Sequence, residues 1–146
     1  MQQVTIYTDG ACSGNPGVGG WGAILICNNF YKELNGAEAN TTNNRMELLA
    51  VIKSLSYLKK SCCVTLYSDS AYVVNAFNQK WIDSWVSNDW ITSGRKPVRN
   101  KDLWLQLLQI LKAHTTSFVK VKGHADNKYN NRCDELARNS IEKFKE

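Results

Sequence analysis

Alternation of apolar residues at period two gives way to helical spacing three times along this chain, and that order restricts the fold more than any other feature of the sequence. Residues 3–8, QVTIYT, alternate Val4, Ile6 and Thr8 with Thr5 and Tyr7 and break at Asp9-Gly10, the pattern of a strand ending on an acid. WGAILIC at 21–27 and FYKELNG at 30–36 read as two further strands joined by the turn formers Asn28-Asn29, so an antiparallel meander is expected. From 43 to 60 the period changes. Leu48, Leu49, Ile52, Leu55 and Leu58 follow helical spacing, the capping candidates Thr41, Thr42, Asn43 and Asn44 stand ahead of them, and Glu47 falls in the first turn. CVTLYS at 63–68 alternates again and also ends on an acid, Asp69, before a short helix, SAYVVNAF. Leu103, Leu107, Ile110 and Leu111 mark a helix begun near Asn100, FVKVKGH at 118–124 a fifth strand, and CDELARNSIEKFK at 133–145 a last helix. Elements in this order predict an α/β fold: a single domain over 1–146 whose five-stranded mixed sheet is flanked by helices.

With 146 residues, 43% of them hydrophobic and 21% charged, the chain is long enough to bury a core without staples, and the composition excludes disorder and low complexity. No apolar run approaches the roughly 20 residues that cross a bilayer, and the start MQQVTIYTDG lacks a signal peptide's basic and apolar regions. The five cysteines, Cys12, Cys27, Cys62, Cys63 and Cys133, form no disulfide framework, so a reducing cytoplasm is expected, with Cys27, Cys63 and Cys133 as small buried hydrophobes. The net charge of +5 is uneven: residues 1–79 hold five basic and five acidic groups, residues 80–146 thirteen basic and eight acidic. Residues 80–101 read as a projecting basic insert. Trp81, Trp85 and Trp90 are expected to pack a helical protrusion, leaving Arg95, Lys96, Arg99 and Lys101 free for phosphates.

Carboxylates at strand ends in an α/β sheet stand where such folds place their ligands. Asp9 and Asp69 are therefore candidates for one site, although each has a structural alternative, a turn at Asp9-Gly10 and a helix N-cap at Asp69. Glu47 and Asp134, the latter read as early in the last helix, bring the acids to four, a set suited to hard divalent cations such as Mg²⁺. No Cys/His cluster has zinc spacing. His124, in the polar stretch KGHADNKYNN, is either a surface residue or a proton carrier beside the metal, whereas His114, at a helix C-terminus that favours an imidazolium, is assigned a structural place. The run GNPGVGGWG lacks the Lys-Ser/Thr pair and the following helix of a phosphate-binding loop; its glycines are expected to permit close backbone approach or a bulge.

Five segments, YTDGACSGNPGVGGWGAIL, TTNNRMELLAVIKSL, LYSDSAYVVNAF, KPVRNKDLW and VKGHADNKYNNRCDELAR, together resemble ribonuclease H of type 1, in the bacterial form with a basic protrusion. The resemblance runs from about residue 4 to residue 140. It implies a ribonuclease H-like fold and an endonuclease that cuts the RNA strand of RNA–DNA hybrids by a two-metal-ion mechanism, leaving 5′-phosphate and 3′-hydroxyl ends. It also implies Mg²⁺, or Mn²⁺, as cofactor, with two ions bound alongside substrate. The family's metal-binding acids fall on Asp9, Glu47, Asp69 and Asp134, and its catalytic loop histidine on His124. Its minor-groove contacts resemble Cys12, Asn15, Asn43 and Asn44, and its DNA-phosphate pocket resembles Thr42 and Asn100, with Arg45 nearby. The implied partner is the hybrid itself, with no membrane and no obligate protein partner, and the expected state is a monomer.

Two rivals follow from the same residues. A non-catalytic hybrid-binding module would keep the insert and the asparagines but lose a metal ligand, whereas all four acids are present. A DNA-acting nuclease or strand-transfer enzyme of the same fold is disfavoured by the NNRME segment and the insert.

Overall fold

The computed structural model describes residues 1–122 and 127–146. Its strands are β1 (Gln2–Cys12), β2 (Gly17–Cys27), β3 (Phe30–Thr41), β4 (Cys62–Ser68) and β5 (Thr115–Lys120). Its helices are α1 (Asn43–Tyr57), α2 (Ala71–Asn78), α3 (Trp81–Ser87), α4 (Lys101–Leu111) and α5 (Lys128–Lys145). The strands form one mixed sheet in the order β3-β2-β1-β4-β5. The meander β1-β2-β3 is antiparallel, while β4 pairs with β1 and β5 with β4, both in parallel and through helical crossovers.

Alternation divides the sheet between two cores. Val4 and Ile6 of β1, Trp21, Ala23 and Leu25 of β2, and Val64 and Leu66 of β4 point into the larger one, beneath α1, α2 and α4. On the other face Ile24 meets Cys133 and Leu136 of α5. The same alternation corrects one expectation: the β4 cysteine that turns inward is Cys62, at 4% exposure, while Cys63 on the opposite face is only half-buried, as is Cys27.

The expected glycine loop is largely strand. Gly10, Ala11 and Cys12 pair with Trp21, Gly20 and Gly19, leaving a short turn at 13–16, and a register shift between Gly17 and Gly19 supplies the bulge. These glycines admit helices. A Cβ on Gly20 would lie 2.2 Å from the Ala137 carbonyl oxygen, and one on Gly22 2.5 Å from that of Cys133.

Several expectations about element limits change, through caps or pairing not visible locally. Helix α5 starts at Lys128, where Asn127 accepts the Asn130 N–H at 3.0 Å, so Asp134 is not in its first turn. Glu47 is the fifth residue of α1, past the first turn, because the N-cap is Thr42, whose hydroxyl accepts the Arg45 N–H at 3.3 Å. The fifth strand pairs with β4 from Thr115 to Lys120, starting three residues before the expected 118, while 123–124 of the expected strand lie outside the described residues. His114 takes the structural place expected of it: its Nδ1 accepts the Cys62 N–H at 3.1 Å, tying the turn after α4 to β4.

Within 80–101, the tryptophans continue the core outward. Trp81 and Trp85 are 6.4 Å apart between centroids, Trp85 and Trp90 5.9 Å, and Trp85 meets the fully buried Trp104 of α4 edge-on at 5.4 Å. Arg95, Lys96, Arg99 and Lys101 are all exposed.

Candidate active site

Register brings the acids together. In the parallel pairing of β1 with β4, Thr8 faces Ser68, so the next residues, Asp9 and Asp69, stand side by side; Asp69 follows the end of β4, whereas β1 continues past Asp9 to Cys12, which replaces the expected strand end and turn at Asp9-Gly10. The structural alternative for Asp69 falls, because α2 is capped by Ser70, whose hydroxyl accepts the Val73 N–H at 3.2 Å. Gly10 admits the third acid: a Cβ there would lie 2.5 Å from the Glu47 nitrogen, so only a bare backbone lets α1 settle on β1 with Glu47 against Asp9. One carboxylate oxygen from each of Asp9, Glu47 and Asp69 lies within 4.8 Å of the other two.

Asp134 lines the same cavity, of about 520 Å³, together with Asn43, Asn44 and Tyr72. It stands outside the tight group of three. Its Oδ2 accepts Arg138 Nε at 2.9 Å in an exposed i,i+4 pair of the kind that contributes little stability, so this contact leaves Asp134 available to the site.

The cluster is electrostatically frustrated. Burial, followed by the charges of Asp69 and Asp134, pushes the Asp9 carboxyl from its ordinary 3.8 up to about 8, although its Oδ1 accepts the Gly10 N–H at 2.9 Å. Glu47, 5% exposed, is raised well above the usual carboxylate range by burial and then by Asp9 and Asp69. Its Oε1 is buried and has no hydrogen-bond partner among the described residues. Such an orphaned oxygen in an all-oxygen donor set fits a hard divalent cation, which would neutralise the repulsion and engage the free lone pairs.

The proposed substrate residues separate into groups. Asn43 and Asn44 are exposed in the first turn of α1 and line the acidic cavity. Cys12 Sγ is directed at the carbonyls of Gly17 and Thr41, at 3.5 and 3.4 Å, and Asn15 is exposed in the neighbouring turn. Thr42, Arg45 and Asn100 meet where α1 faces α4. Arg45 forks onto Asp102 at 2.8 and 3.0 Å and reaches Asn100 Oδ1 at 3.3 Å, while Asn100 Nδ2 donates to the Tyr72 hydroxyl at 3.1 Å. Arg95, Lys96, Arg99 and Lys101 form no ion pair among the described residues. His124 lies outside the described residues.

Sequence reasoning missed Asp102 and Tyr72. Asp102 carried a weak signal, an acid in the first turn of a helix, but its partner is 57 residues away. Tyr72 looked like one more residue of an apolar helix, yet its hydroxyl accepts both Asn100 Nδ2 and, at 3.0 Å, Trp104 Nε1.

Comparison with known proteins agrees with this geometry. The RNase H family model matches residues 1–142. A ribonuclease H of Chlorobium luteolum is 59% identical over 143 residues, covering 98% of both chains, and one of Moorella thermoacetica is 60% identical over 141 residues, covering 97% of this chain and 93% of its own. Among solved structures, the crystal structure of LC9-RNase H1 is 27% identical with a TM-score of 0.85, covering 97% of this chain and 73% of that one. LC11-RNase H1, solved in complex with an RNA/DNA hybrid, is 24% identical with a TM-score of 0.75, covering 98% and 99%. Sheet order, the clustered acids and 59% identity over nearly the full length agree, and the chain belongs to the ribonuclease H family.

Proposed function

We propose that this protein is an endonuclease hydrolysing the RNA strand of RNA–DNA hybrids, with Asp9, Glu47, Asp69 and Asp134 holding divalent metal, Mg²⁺ or Mn²⁺. The observation that carries this reading is the convergence of three carboxylates within 4.8 Å, one oxygen buried without a partner. A pair of such cations with substrate would neutralise the scissile phosphate, lower the pKa of the attacking water and stabilise the leaving 3′-oxygen. The chain's own part is to aim the oxygens. Asp9 is the central ligand, next to Asp69 through strand register and to Glu47 through the bare Gly10 contact, and Asp134 approaches from the opposite helix.

Substrate selection requires sensing a 2′-hydroxyl on one strand and its absence on the other. Asn43 and Asn44, exposed beside the acids, can donate and accept in a minor groove, with Cys12 and Asn15 at the neighbouring turn. Thr42, Arg45 and Asn100 form the phosphate pocket for the DNA strand. Arg45 brings its charge there already oriented by Asp102, and the free cations of the protrusion extend the contact. His124 is assigned proton transfer or product release on the resemblance alone.

This reading takes residues 1–146 as one domain with 80–101 as its protrusion, acting as a monomer in the cytoplasm. All five cysteines are free thiols, in keeping with a reducing compartment. No helix among the described residues is long and apolar enough to cross a membrane.

The test is incubation with a labelled hybrid, matched duplex DNA and duplex RNA, each with Mg²⁺ and with chelator. Cleavage confined to the RNA of the hybrid and dependent on metal is expected. Asp9→Asn should abolish it while binding of the hybrid persists, because a ligand is lost and shape is kept. Metal-dependent cleavage by Asp9→Asn at the wild-type rate would remove the site.

A further inference from the structure

Helix α5 must be held at one rotation about its axis for Asp134 to face the site. Cys133 lies underneath, fully buried, with Sγ directed at the Tyr7 carbonyl oxygen at 3.3 Å. Successive helical residues are separated by about 100°, so the neighbours of Cys133 project from opposite flanks, Arg132 toward β3 and Asp134 toward the end of β1. On the β3 flank, Arg132 Nε donates to Glu33 Oε2 at 2.8 Å and Nη2 to Oε1 at 2.9 Å, two parallel bonds of a planar fork. The Tyr31 hydroxyl donates to Glu33 Oε2 at 2.8 Å, and Arg132 Nη1 reaches Glu135.

This pair differs from an ordinary surface bridge. It joins residues 99 apart in sequence, both are partly shielded, at 39% and 27% side-chain exposure, and the doubled bond fixes angle as well as distance. We propose that Arg132 and Glu33 are positioning residues that set the rotation of α5 and, through it, the place of Asp134, so that the pair controls how tightly the carboxylate cluster holds a divalent cation. The inference rests on reading that cluster as a cation site. Rotating a helix by about 20° carries an atom at its outer radius of about 5–6 Å through about 2 Å. A carboxylate displaced that far loses a coordination distance of about 2.1 Å. Ile24, packed on Cys133 and Leu136, and Ser140, whose hydroxyl donates to Asn35 Oδ1 at 3.2 Å, hold the body of α5, while Arg132 ties the turn that carries Asp134 to β3.

The experiment is a calorimetric Mn²⁺ titration of the full chain and of Glu33→Ala, Arg132→Ala and the double variant. Glu33→Gln, of nearly unchanged shape, serves as the variant whose folding is least disturbed. Each single alanine variant should bind Mn²⁺ roughly three- to tenfold more weakly, below the loss seen on removing a group that touches a ligand directly. The double variant should lose no more than the worse single, since the two act as one unit. The amide resonances of Asp134 and Arg138 should shift in Glu33→Gln while those of α1 stay in place, which a general loss of stability would not produce. Unchanged Mn²⁺ affinity with only a lowered denaturation midpoint would overturn the proposal, as would losses that add in the double variant. Wild-type protein that binds Mn²⁺ yet fails to cut hybrid would instead count against the proposed activity and leave the positioning result intact.

Discussion

Asp9 and Glu47 lose more by ionising in the folded chain than in the unfolded one, and this makes metal-free stability depend on pH. Asp9 rises from 3.8 to about 8 on folding, so between those values the folded state retains a proton that the unfolded state has released. The stabilisation is complete below about pH 4 and is lost as pH rises toward 8. Thermal melts in chelator should therefore show the midpoint falling across that window, with Mg²⁺ restoring it, and Asp9→Asn should flatten the profile and melt higher than wild type at pH 8. Lys80 is a second residue held at a local cost. It occupies the left-handed region at φ 59° and ψ 33° ahead of α3, and its side chain makes no cap. Left-handed geometry costs a non-glycine residue about 1–2 kcal/mol. Lys80→Gly should raise stability by about 1 kcal/mol and Lys80→Ala should not, as read from urea midpoints. Neither property was legible beforehand: Asp9 announced itself as an acid at a strand end, but its burial depends on α1 and α5, which begin 34 and 119 residues further along the chain.

The elements themselves were largely legible because most carry their own period. The alternation of β1 and β4 and the helical spacing of the leucines in α1 stand in the sequence, and so do the acids that follow those alternating runs. The glycine run did not announce itself as strand, since bare residues look like a loop until a helix rests on them. Helix α5 packs on Gly20 and Gly22, and Gly22→Ala would bring a Cβ within 2.5 Å of the Cys133 carbonyl oxygen and 2.7 Å of Leu136 Cβ. Backbone cannot yield as a side chain tip can, so the variant should lose about 1–3 kcal/mol, the range for overpacking. Because Asp134 rides on the lifted helix, cleavage should fall even at temperatures where the variant remains folded. Kinetics taken well below its melting midpoint check this.

Across the whole molecule the charge surplus sits in residues 80–146, thirteen basic groups against eight acidic, and Arg95, Lys96, Arg99 and Lys101 are exposed and form no ion pair among the described residues. Hybrid affinity should decline with salt, and replacing both Arg95 and Lys96 with Ala should reduce the log–log slope by about 1–2, the number of phosphate contacts removed. Filter binding from low to moderate salt measures both slopes; an unchanged slope would place the protrusion away from phosphate. The sequence by itself determined most of the segments that pair or coil and which side chains are candidates for the chemistry, since period, turn formers and residue type are local properties of the chain. Tertiary structure decided the rest. That Asp9 and Asp69 share one edge, that Gly10 admits Glu47, that Arg45 is held by Asp102, and that Asp134 approaches on a helix gripped by Glu33 all depend on strand register and helix rotation. Those are settled by contacts between residues far apart in the chain, where no local pattern reaches.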